Sequence, residues 1–340
     1  MIIRSKAPLR LGLAGGGTDV SPYADLYGGA ILNITIGMHA YATIKPLSGK
    51  KIRIKAMDRG EELQLDATKQ LPINGQLDLA KGVYNRVVRD YVKKPLAFEL
   101  TTYVDAPPGS GLGSSSTLVV AILGAFVEWL KLPLGEYDIA NLAYRIERED
   151  LGMHGGRQDQ YAATFGGVNY MEFYDKEKVI VNPLRVRESW LHELEHNLIL
   201  FYTETSRLSS EIIKKQSENV KKKNKKSIEA MHSLKEQSVR MKEALLKGEV
   251  DRIGDILHYG WQHKKAMAEG ISNPHIEGIY NAAMKAGATG GKVSGAGGGG
   301  FMFFYAPYTA KFKVIEALNK VGGRVMRYNF TPHGLTAWTV

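Results

Sequence analysis

A short segment rich in glycine and serine carries the residue types best suited to chemistry, and it runs PPGSGLGSSST from Pro107 to Thr117. Gly109, Gly111 and Gly113 remove side chains from this loop, so backbone N–H groups can approach an anion. The apolar residues that follow recur at helical spacing, which places Ser114-Ser115-Ser116 at the N-terminus of a helix. Unpaired N–H groups and the helix dipole favour negative charge there. The segment therefore predicts a phosphate site whose hydroxyl groups also suit a metal ion.

Other interpretations of this loop are a flexible linker or a plain turn. It is not a Walker A loop, because no Gly-Lys-Ser/Thr ending follows its glycines. It also departs from the dinucleotide-binding pattern, since GSGLGS has serine at the third glycine position and no acidic residue follows near position 133. A claim of phosphoryl transfer consequently needs support from the rest of the chain.

A second glycine-rich segment, AGGGTD from Ala14 to Asp19, follows a predicted strand over residues 2–14. Its Thr18 hydroxyl and Asp19 carboxylate suit the binding of a sugar, because a carboxylate readily accepts hydrogen bonds from two hydroxyls. The alternative is a helix cap ahead of the apolar residues that follow. Arg10 lies near the end of the predicted strand, where it could face the same pocket.

Two more segments have residues that need an explanation. Asp159 stands between two glutamines in GGRQDQYAATFGG, where a structural turn is the alternative to a chemical role. Gly295 to Gly300 has five glycines in six positions between apolar, strand-forming residues. Such a loop loses much backbone entropy on ordering, which a phosphate or sugar against bare backbone would offset. The alternative for it is a loose hairpin.

The elements that must position these segments indicate an α+β fold in two domains, 1–185 and 186–340. A change to polar and charged sequence near residue 185 suggests the boundary. Strands are predicted over 29–46, 51–56, 98–104, 197–203 and 324–328 and on both sides of the last glycine loop, and helices over 77–91, 115–131, 137–151, about 206–270 and 273–286.

Composition limits the function classes. The 340 residues carry a net charge of +10 and no cysteine, which excludes disulfides and thiolate metal sites and suits a reducing cytoplasm. No signal peptide or membrane-spanning segment is predicted. The positive charge suits anionic small substrates. Nucleic acid is the alternative partner, but the lysine run 221–226 has no interleaved aromatics and is best explained as a solvated helix face. We expect a cytoplasmic protein with no nucleic-acid or membrane partner, and the sequence leaves a homo-oligomer open.

With these segments together, the chain resembles the GHMP kinase superfamily, named for galactokinase, homoserine kinase, mevalonate kinase and phosphomevalonate kinase. The three regions that carry the resemblance occur in order: KAPLRLGLAGGGTD at Lys6 to Asp19, PPGSGLGSSST at Pro107 to Thr117, and KVSGAGGGGF at Lys292 to Phe301. The resemblance implies a two-domain α+β kinase fold, with an N-terminal domain similar to ribosomal protein S5 and a ferredoxin-like C-terminal domain. It also implies that ATP and Mg²⁺ are used.

The resemblance assigns roles to individual residues. Asp159 takes the place of the catalytic aspartate, and Arg10 would steady it; whether Asp159 removes the acceptor proton or only orients the hydroxyl is left open. The metal ligands would be Ser115 and Glu147, with Glu149 as the alternative to Glu147. The nucleotide phosphates would be held by Pro108, Gly109, Ser110, Gly111, Leu112, Gly113, Ser114, Ser115 and Ser116. The sugar would contact Gly16, Gly17, Thr18, Asp19, Gly297 and Gly298, with Lys6, Arg157 and Lys292 as candidates for a distal phosphate.

Within the superfamily, AGGGTD resembles the D-glycero-D-manno-heptose 7-phosphate kinases, since galactokinases have a Glu-His pair where this chain has glycines. That branch implies phosphorylation of the anomeric hydroxyl to give a heptose 1,7-bisphosphate, used to make nucleotide-activated heptose. The alternative is a fucose or other hexose 1-kinase, whose domains begin with related glycine-rich segments. A non-catalytic sugar or nucleotide sensor on the same fold is a further alternative, which the joint presence of Ser115, Glu147 and Asp159 disfavours.

Overall fold

The chain folds into two β-sheets covered by helices. A computed structural model describes residues 1–175, 177–205 and 209–340. Its strands are β1 (Ile3–Ala14), β2 (Gly29–Pro46), β3 (Lys51–Ala56), β4 (Glu61–Asp66), β5 (Phe98–Val104), β6 (Val168–Phe173), β7 (Val179–Pro183), β8 (Leu198–Tyr202), β9 (Gly290–Val293), β10 (Phe301–Tyr305), β11 (Arg324–Met326) and β12 (Thr336–Thr339).

The helices lie between these strands and pack on the sheets. They are α1 (Tyr23–Tyr27), α2 (Asp78–Val87), α3 (Ser114–Leu130), α4 (Glu136–Arg145), α5 (Gln158–Phe165), α6 (Glu188–Asn197), α7 (Ser209–Lys221), α8 (Lys225–Lys247), α9 (Ile253–Met267), α10 (Pro274–Lys285) and α11 (Ala310–Lys320). π-Helical turns extend α2 over Val88–Val92 and α4 over Ile146–Asp150, and a 3₁₀ turn, Val250–Arg252, precedes α9.

The larger sheet is built around the long strand β2. Along one side β2 pairs antiparallel with β1, and along the other it pairs with β6 through its first half and with β5 through its second half. Strand β3 joins β5 in parallel, β4 closes that edge, and β7 pairs with β6. Strands β1 and β5 lie on opposite sides of β2 and run in the same direction. Their C-terminal ends, which lead into two of the glycine-rich segments, therefore lie in the same region of the domain.

Helix α3 is the central helix of the first domain. Most of its residues are apolar and buried, as expected for a helix with neighbours on every side. It packs against β1, β2, α2, α4 and α5. The glycine-rich segment 107–113, which we call the phosphate loop, leads directly into this buried helix. The packing of α3 therefore fixes the end of the loop.

The second sheet has the antiparallel order β11-β8-β10-β9 and its own apolar core, which includes Trp261, Phe201 and Phe304. Strand β12 then returns to the first sheet and pairs with β1, and Phe330 forms a bridge with Ile36. The C-terminal residues therefore pair with the sheet of the N-terminal domain. The predicted division into 1–185 and 186–340 does not include this pairing.

The predicted α+β class and most predicted elements are confirmed, including the strands 29–46, 51–56 and 98–104. The prediction missed the strands β4, β6, β7 and β12. The region predicted as helical from Ser206 to about 270 is helical where the structure describes it, and it is divided into α7, α8 and α9. Its predicted start at Ser206 lies outside the described residues. Asp159, for which a structural turn was the alternative to a chemical role, lies in the first turn of α5.

Candidate functional site

The three predicted segments meet at one cavity of about 510 Å³. The loop after β5, the loop after β1, the turn before α5 and the loop between β9 and β10 all contribute to its wall. Residues from α7 and α9 complete the wall from the second domain, among them Gln216 and Lys264. The site therefore lies where both domains supply side chains, a common position for ligand pockets.

The phosphate loop has the conformation that its glycines predict. Gly109, Gly111 and Gly113 all have positive φ, at 70°, 83° and 79°, and α3 begins at Ser114. The cavity wall includes Pro108, Gly109, Gly111, Gly113, Ser114, Ser115 and Ser116. Hydroxyl groups and the N-terminus of α3 therefore face the cavity, which suits an anion.

Two members of the predicted phosphate-binding set lie away from the cavity. Ser110 and Leu112 are fully buried and do not line it. Their carbonyl groups accept hydrogen bonds from the N–H groups of Phe301 and Arg10 respectively. These carbonyl groups join the loop to its neighbours, and the phosphate contacts of Ser110 and Leu112 stay a prediction.

Asp159 and Arg10 form an ion pair beside the phosphate loop. Arg10 Nη2 lies 2.6 Å and Nε 2.8 Å from Asp159 Oδ1, and Arg10 Nη1 donates to the Gly111 carbonyl at 2.6 Å. A Cβ on Gly113 would lie 3.2 Å from Asp159 Oδ2, so the carboxylate is packed against the loop. The predicted contact between Arg10 and Asp159 is confirmed, and Arg10 links the aspartate to the phosphate loop.

Asp19 reaches the cavity from the first segment. Its Oδ2 accepts hydrogen bonds from the N–H groups of Arg157 at 2.8 Å and Gln158 at 3.0 Å, which caps the start of α5. Its Oδ1 is buried and has no partner in the described chain. Burial raises the pKa of Asp19, and the two N–H contacts oppose that rise. Asp19 therefore both fixes the helix of Asp159 and presents one free carboxylate oxygen.

Thr18 does not face the cavity. Its hydroxyl lies 2.9 Å from the Gly15 carbonyl and 3.0 Å from the Ala30 carbonyl, and it accepts from the Ala30 N–H. The sugar contact predicted for Thr18 is therefore not supported, because the hydroxyl is occupied within the loop. Gly17 lines the cavity, whereas Gly16 lies behind it next to Lys264 Nζ.

Of the predicted metal ligands, Glu147 is connected to the serine cluster, Ser114-Ser115-Ser116, through Ser116, and the described hydrogen bonds do not join it to Ser115. Glu147 is fully buried on the π-helical turn after α4, and its Oε2 accepts from Gln160 Nε2 at 2.5 Å. The same Nε2 lies 3.1 Å from Ser116 Oγ, so Gln160 joins Glu147 to the serine cluster. Glu147 Oε1 has no hydrogen-bond partner in the described chain, whereas Glu149 pairs with Arg145 and Arg86 instead. These contacts favour Glu147 over Glu149 as a ligand.

The third glycine-rich loop has a different role from the one predicted for its central glycines. A Cβ on Gly295 would lie 2.8 Å from Gly111 Cα, and one on Gly300 would lie 2.4 Å from the Ser110 carbonyl oxygen. The loop therefore packs backbone to backbone on the phosphate loop. Gly297 and Gly298 contact Ile271 and do not line the cavity, so their predicted sugar contacts are not supported; Gly295 and Ala296 line it instead.

None of the three cations predicted for a distal phosphate lines the cavity. Arg157 pairs with Asp25 at 2.7 Å, Lys292 donates to the Gly12 carbonyl at 2.8 Å, and Lys6 lies within β1. The cations that do line the wall are Lys264, Arg148 and Arg59 together with Arg10, and His154 lies beside them. Sequence reasoning missed Lys264, Arg148 and Arg59, since Lys264 stands in a helix with an adjacent lysine and no local pattern distinguishes it.

Across the described ranges, no helix is long and apolar enough to cross a membrane. The same residues contain no group of three or more His, Asp or Glu side chains that could hold a metal ion by themselves. Any ion at the serine cluster would therefore need further ligands from a bound molecule or from water.

Comparison with known proteins matches two parts of the chain to models of one protein family. The family model described as the GHMP kinases N terminal domain matches residues 78–167, and the model for the GHMP kinases C terminal matches residues 241–324. The first match contains the phosphate loop, Glu147 and Asp159. The second contains Lys264 and the third glycine-rich loop.

Several known proteins are similar over most of this length. A D-glycero-alpha-D-manno-heptose 7-phosphate kinase of Campylobacter jejuni is 48% identical over 338 residues, which cover 99% of both chains. A solved structure described as a D-glycero-D-manno-heptose 1-phosphate kinase from Bacteroides thetaiotaomicron has a TM-score of 0.85 at 47% identity, with 99% of both chains covered. An L-fucokinase/L-fucose-1-P guanylyltransferase of Bacteroides fragilis is 27% identical, over 90% of this chain and 34% of its own length.

Proposed function

The chain belongs to the GHMP kinases, and from this premise we propose that it phosphorylates the anomeric hydroxyl of D-glycero-D-manno-heptose 7-phosphate. The products would be the heptose 1,7-bisphosphate and ADP, as a step towards nucleotide-activated heptose. Membership makes it a phosphotransferase that uses ATP. The choice of a heptose phosphate is supported by two relatives of nearly half identity over nearly the full chain, both of which carry heptose phosphate kinase names.

One observation carries the proposal: Asp159 is held against the phosphate loop by Arg10. Oδ1 is occupied by the guanidinium, and Oδ2 lies beside Gly113 at the entrance of α3. A hydroxyl group next to Oδ2 would consequently adjoin a phosphate at the N-terminus of α3. Phosphoryl transfer depends on such positioning and on charge stabilisation more than on covalent help.

The proposed reaction transfers the γ-phosphoryl group of ATP to the anomeric oxygen of the sugar. The anomeric oxygen of the acceptor forms a bond to the γ-phosphorus of ATP, and the bond from that phosphorus to the β–γ bridging oxygen breaks. ADP leaves with the bridging oxygen, and the acceptor proton moves to the Asp159 carboxylate. Arg10 holds the carboxylate in place through its two contacts to Oδ1.

The residues at the serine cluster fit a Mg²⁺ ion. Glu147 Oε1 is a buried carboxylate oxygen without a hydrogen-bond partner in the described chain, and Ser115 exposes a hydroxyl to the cavity. Mg²⁺ prefers oxygen ligands and commonly combines one or two protein groups with substrate phosphates and water. Ser115 and Glu147 would hold the ion, which would neutralise charge on the β- and γ-phosphates.

The cavity wall is apolar in one part and polar in another. Leu79, Val104, Ala106 and Leu118 supply apolar side chains near the phosphate loop, which suits a flat nucleobase. Asp19, Gln216 and Lys264 supply polar groups on the side of Asp159, which suits a sugar with several hydroxyls. ATP and sugar would thus enter opposite ends and meet between Ser115 and Asp159.

A panel of acceptors tests the proposed function. The purified chain would receive ATP and Mg²⁺ with D-glycero-D-manno-heptose 7-phosphate, the same heptose without phosphate, L-fucose, galactose and mannose 6-phosphate. ADP release measures turnover, and ³¹P NMR locates the new phosphate. We expect the heptose 7-phosphate to give the highest kcat/KM and a new anomeric phosphate.

Other outcomes would contradict the proposal. A preference for L-fucose would favour the fucose 1-kinase suggested by the more distant relative from Bacteroides fragilis. Binding of a sugar without any ADP release would favour a sensor built on the same fold. The variant Asp159→Asn is assayed beside the wild type, and full retention of activity in it would contradict phosphoryl transfer beside Asp159.

A further inference from the structure

Two charged side chains from different domains, Asp19 and Lys264, line the same cavity, and we call this pair the cavity floor. Lys264 extends from α9, and Asp19 follows β1. Both line the cavity although they are almost fully buried, with 3% of Lys264 and 1% of Asp19 exposed. The two residues are therefore reached only from within the cavity, at the end where the proposed sugar would bind.

Neither group satisfies its hydrogen-bonding capacity within the chain. Asp19 Oδ1 has no partner among the described residues. The ammonium of Lys264 can donate three hydrogen bonds, yet its one contact in the described structure is a long one, 3.4 Å to the Gly16 carbonyl. Buried polar groups are normally paired, so unused capacity on both sides of a cavity indicates a bound ligand.

The two groups also do not pair with each other. No Lys264 nitrogen lies within 4.0 Å of an Asp19 oxygen in the described chain, although the two charges attract. A direct ion pair would remove much of the cost of burying both charges. Burial instead lowers the pKa of Lys264 to about 8 and raises that of Asp19. The ammonium and the carboxylate therefore influence each other without direct contact, and both keep hydrogen-bonding capacity for a bound group.

We propose that Lys264 determines acceptor specificity by binding, together with Asp19 Oδ1, one hydroxyl group of the sugar. The ammonium donates to the hydroxyl oxygen, and the carboxylate accepts the hydroxyl proton in a hydrogen bond. This inference deepens the proposed function, because it rests on a sugar being the acceptor, and it does not depend on which sugar that is.

A hydroxyl fits this position better than the distal phosphate of a sugar phosphate. A phosphate dianion in contact with Lys264 would be attracted by Arg10 and Lys292, which also lie near this ammonium, but it would repel the Asp19 carboxylate and leave Asp19 Oδ1 without a donor. A hydroxyl is both a donor and an acceptor, so it satisfies the two groups at once. The cavity floor would therefore recognise the sugar itself, and the distal phosphate would bind elsewhere on the wall.

Substitution of Lys264 tests this inference with a neighbouring lysine as the control. Lys264→Met removes the charge at similar length, and Lys264→Gln keeps a donor. The control is Lys265→Met, because Lys265 points to Glu277 and Trp261 and does not line the cavity. The acceptor is whichever sugar of the panel the wild-type chain uses best, and circular dichroism reports that each variant is folded.

We expect Lys264→Met to raise the KM for the sugar by about 10- to 100-fold, since it leaves buried polar groups unpaired. The KM for ATP should stay within about twofold, and Lys265→Met should match the wild type in both. Lys264→Gln should give a smaller rise in the sugar KM. A sugar KM within twofold of the wild type in folded Lys264→Met, or an equal rise in both KM values, would overturn the inference.

Altered sugars separate the hydroxyl from the phosphate. The loss in Lys264→Met should be the same for the heptose with and without its 7-phosphate, and a loss confined to the phosphorylated sugar would overturn the inference. One monodeoxy sugar should bind the wild type weakly and lose nothing further in Lys264→Met. If the preferred acceptor is not a heptose phosphate and Lys264→Met still loses affinity for it, only the proposed function fails. If calorimetry detects no panel sugar binding to the wild type, both fail.

Discussion

Arg10 and Asp159 are 149 residues apart in the chain, yet two guanidinium nitrogens lie within 2.8 Å of the same carboxylate oxygen, Oδ1. Because both contacts use Oδ1, Oδ2 remains without a protein partner in the described chain and lies beside Gly113. The third guanidinium nitrogen donates to the Gly111 carbonyl. One arginine thus sets both the direction of the aspartate and its distance from the phosphate loop.

The first prediction concerns the carboxylate itself. Asp159→Asn keeps the shape of the side chain and one oxygen, but it loses the negative charge and the capacity to accept a proton. We expect kcat to fall by about 10²- to 10⁴-fold, the usual contribution of a general base. The dissociation constant of an ATP analogue, measured by calorimetry, should change little. A kcat within a factor of two of the wild type would remove the role of Asp159.

A second prediction separates the two oxygens of Asp19. Asp19→Asn retains one oxygen that can accept from the start of α5, whereas Asp19→Ala loses the cap as well. Loss of such a cap typically costs about 1 kcal/mol. We expect both variants to have a higher KM for the sugar and an unchanged KM for ATP, and only Asp19→Ala to unfold at clearly lower urea concentration. Equal increases in both KM values would contradict a sugar contact.

The serine cluster gives a third prediction. Ser115→Ala removes a hydroxyl that faces the cavity, so the Mg²⁺ concentration that gives half-maximal activity should rise several-fold. Ser233→Ala is the matched control, because the Ser233 hydroxyl is exposed and donates only to the Glu229 carbonyl of its own helix. Steady-state rates across a Mg²⁺ titration provide the measurement. A Ser115→Ala titration that overlays the wild type would argue against a metal contact.

A fourth prediction follows from the buried ammonium. The pKa of Lys264 is lowered to about 8 by burial and by Arg10, while Asp19 acts in the opposite direction; Lys292 lies close by. Between about pH 8 and the ordinary value near 10.5, the unfolded chain binds a proton that the folded chain has released. The free energy of unfolding contributed by Lys264 must therefore rise with pH across this window.

Lys264→Met lacks this titration, so it should be more stable than the wild type at pH 7, by on the order of 1–3 kcal/mol. The difference should shrink as the pH approaches 10. Urea unfolding at several pH values measures it, and comparing the variant with the wild type cancels the contribution of other groups to first order. A variant that is less stable than the wild type at pH 7 would show that the ammonium supports the fold instead of the site.

The sequence was sufficient to predict the elements that depend only on neighbouring residues. The glycine spacing in the phosphate loop and the apolar periodicity after Ser114 predicted the loop and α3, because both depend on backbone freedom and on one helix face. Resemblance to the GHMP kinases supplied the pairing of Arg10 with Asp159, which no local pattern contains.

The rest depended on contacts between distant segments. Thr18 resembles a ligand in sequence, but its hydroxyl is used by Ala30 across a turn of the chain. Gly297 belongs to a loop that suggests phosphate binding, yet its bare backbone makes room for Ile271. Lys264 lies in one of several lysine-containing helices, and only the packing of α9 beside the Gly16 backbone brings it to the cavity.

A crystal structure with a non-hydrolysable ATP analogue and the preferred sugar would show whether the terminal phosphate and the anomeric hydroxyl meet beside Asp159. We expect the terminal phosphate between Ser115 and Asp159, with the anomeric oxygen of the sugar about 3 Å from Asp159 Oδ2. A terminal phosphate bound away from both residues, or a sugar whose anomeric oxygen points away from Asp159, would contradict it.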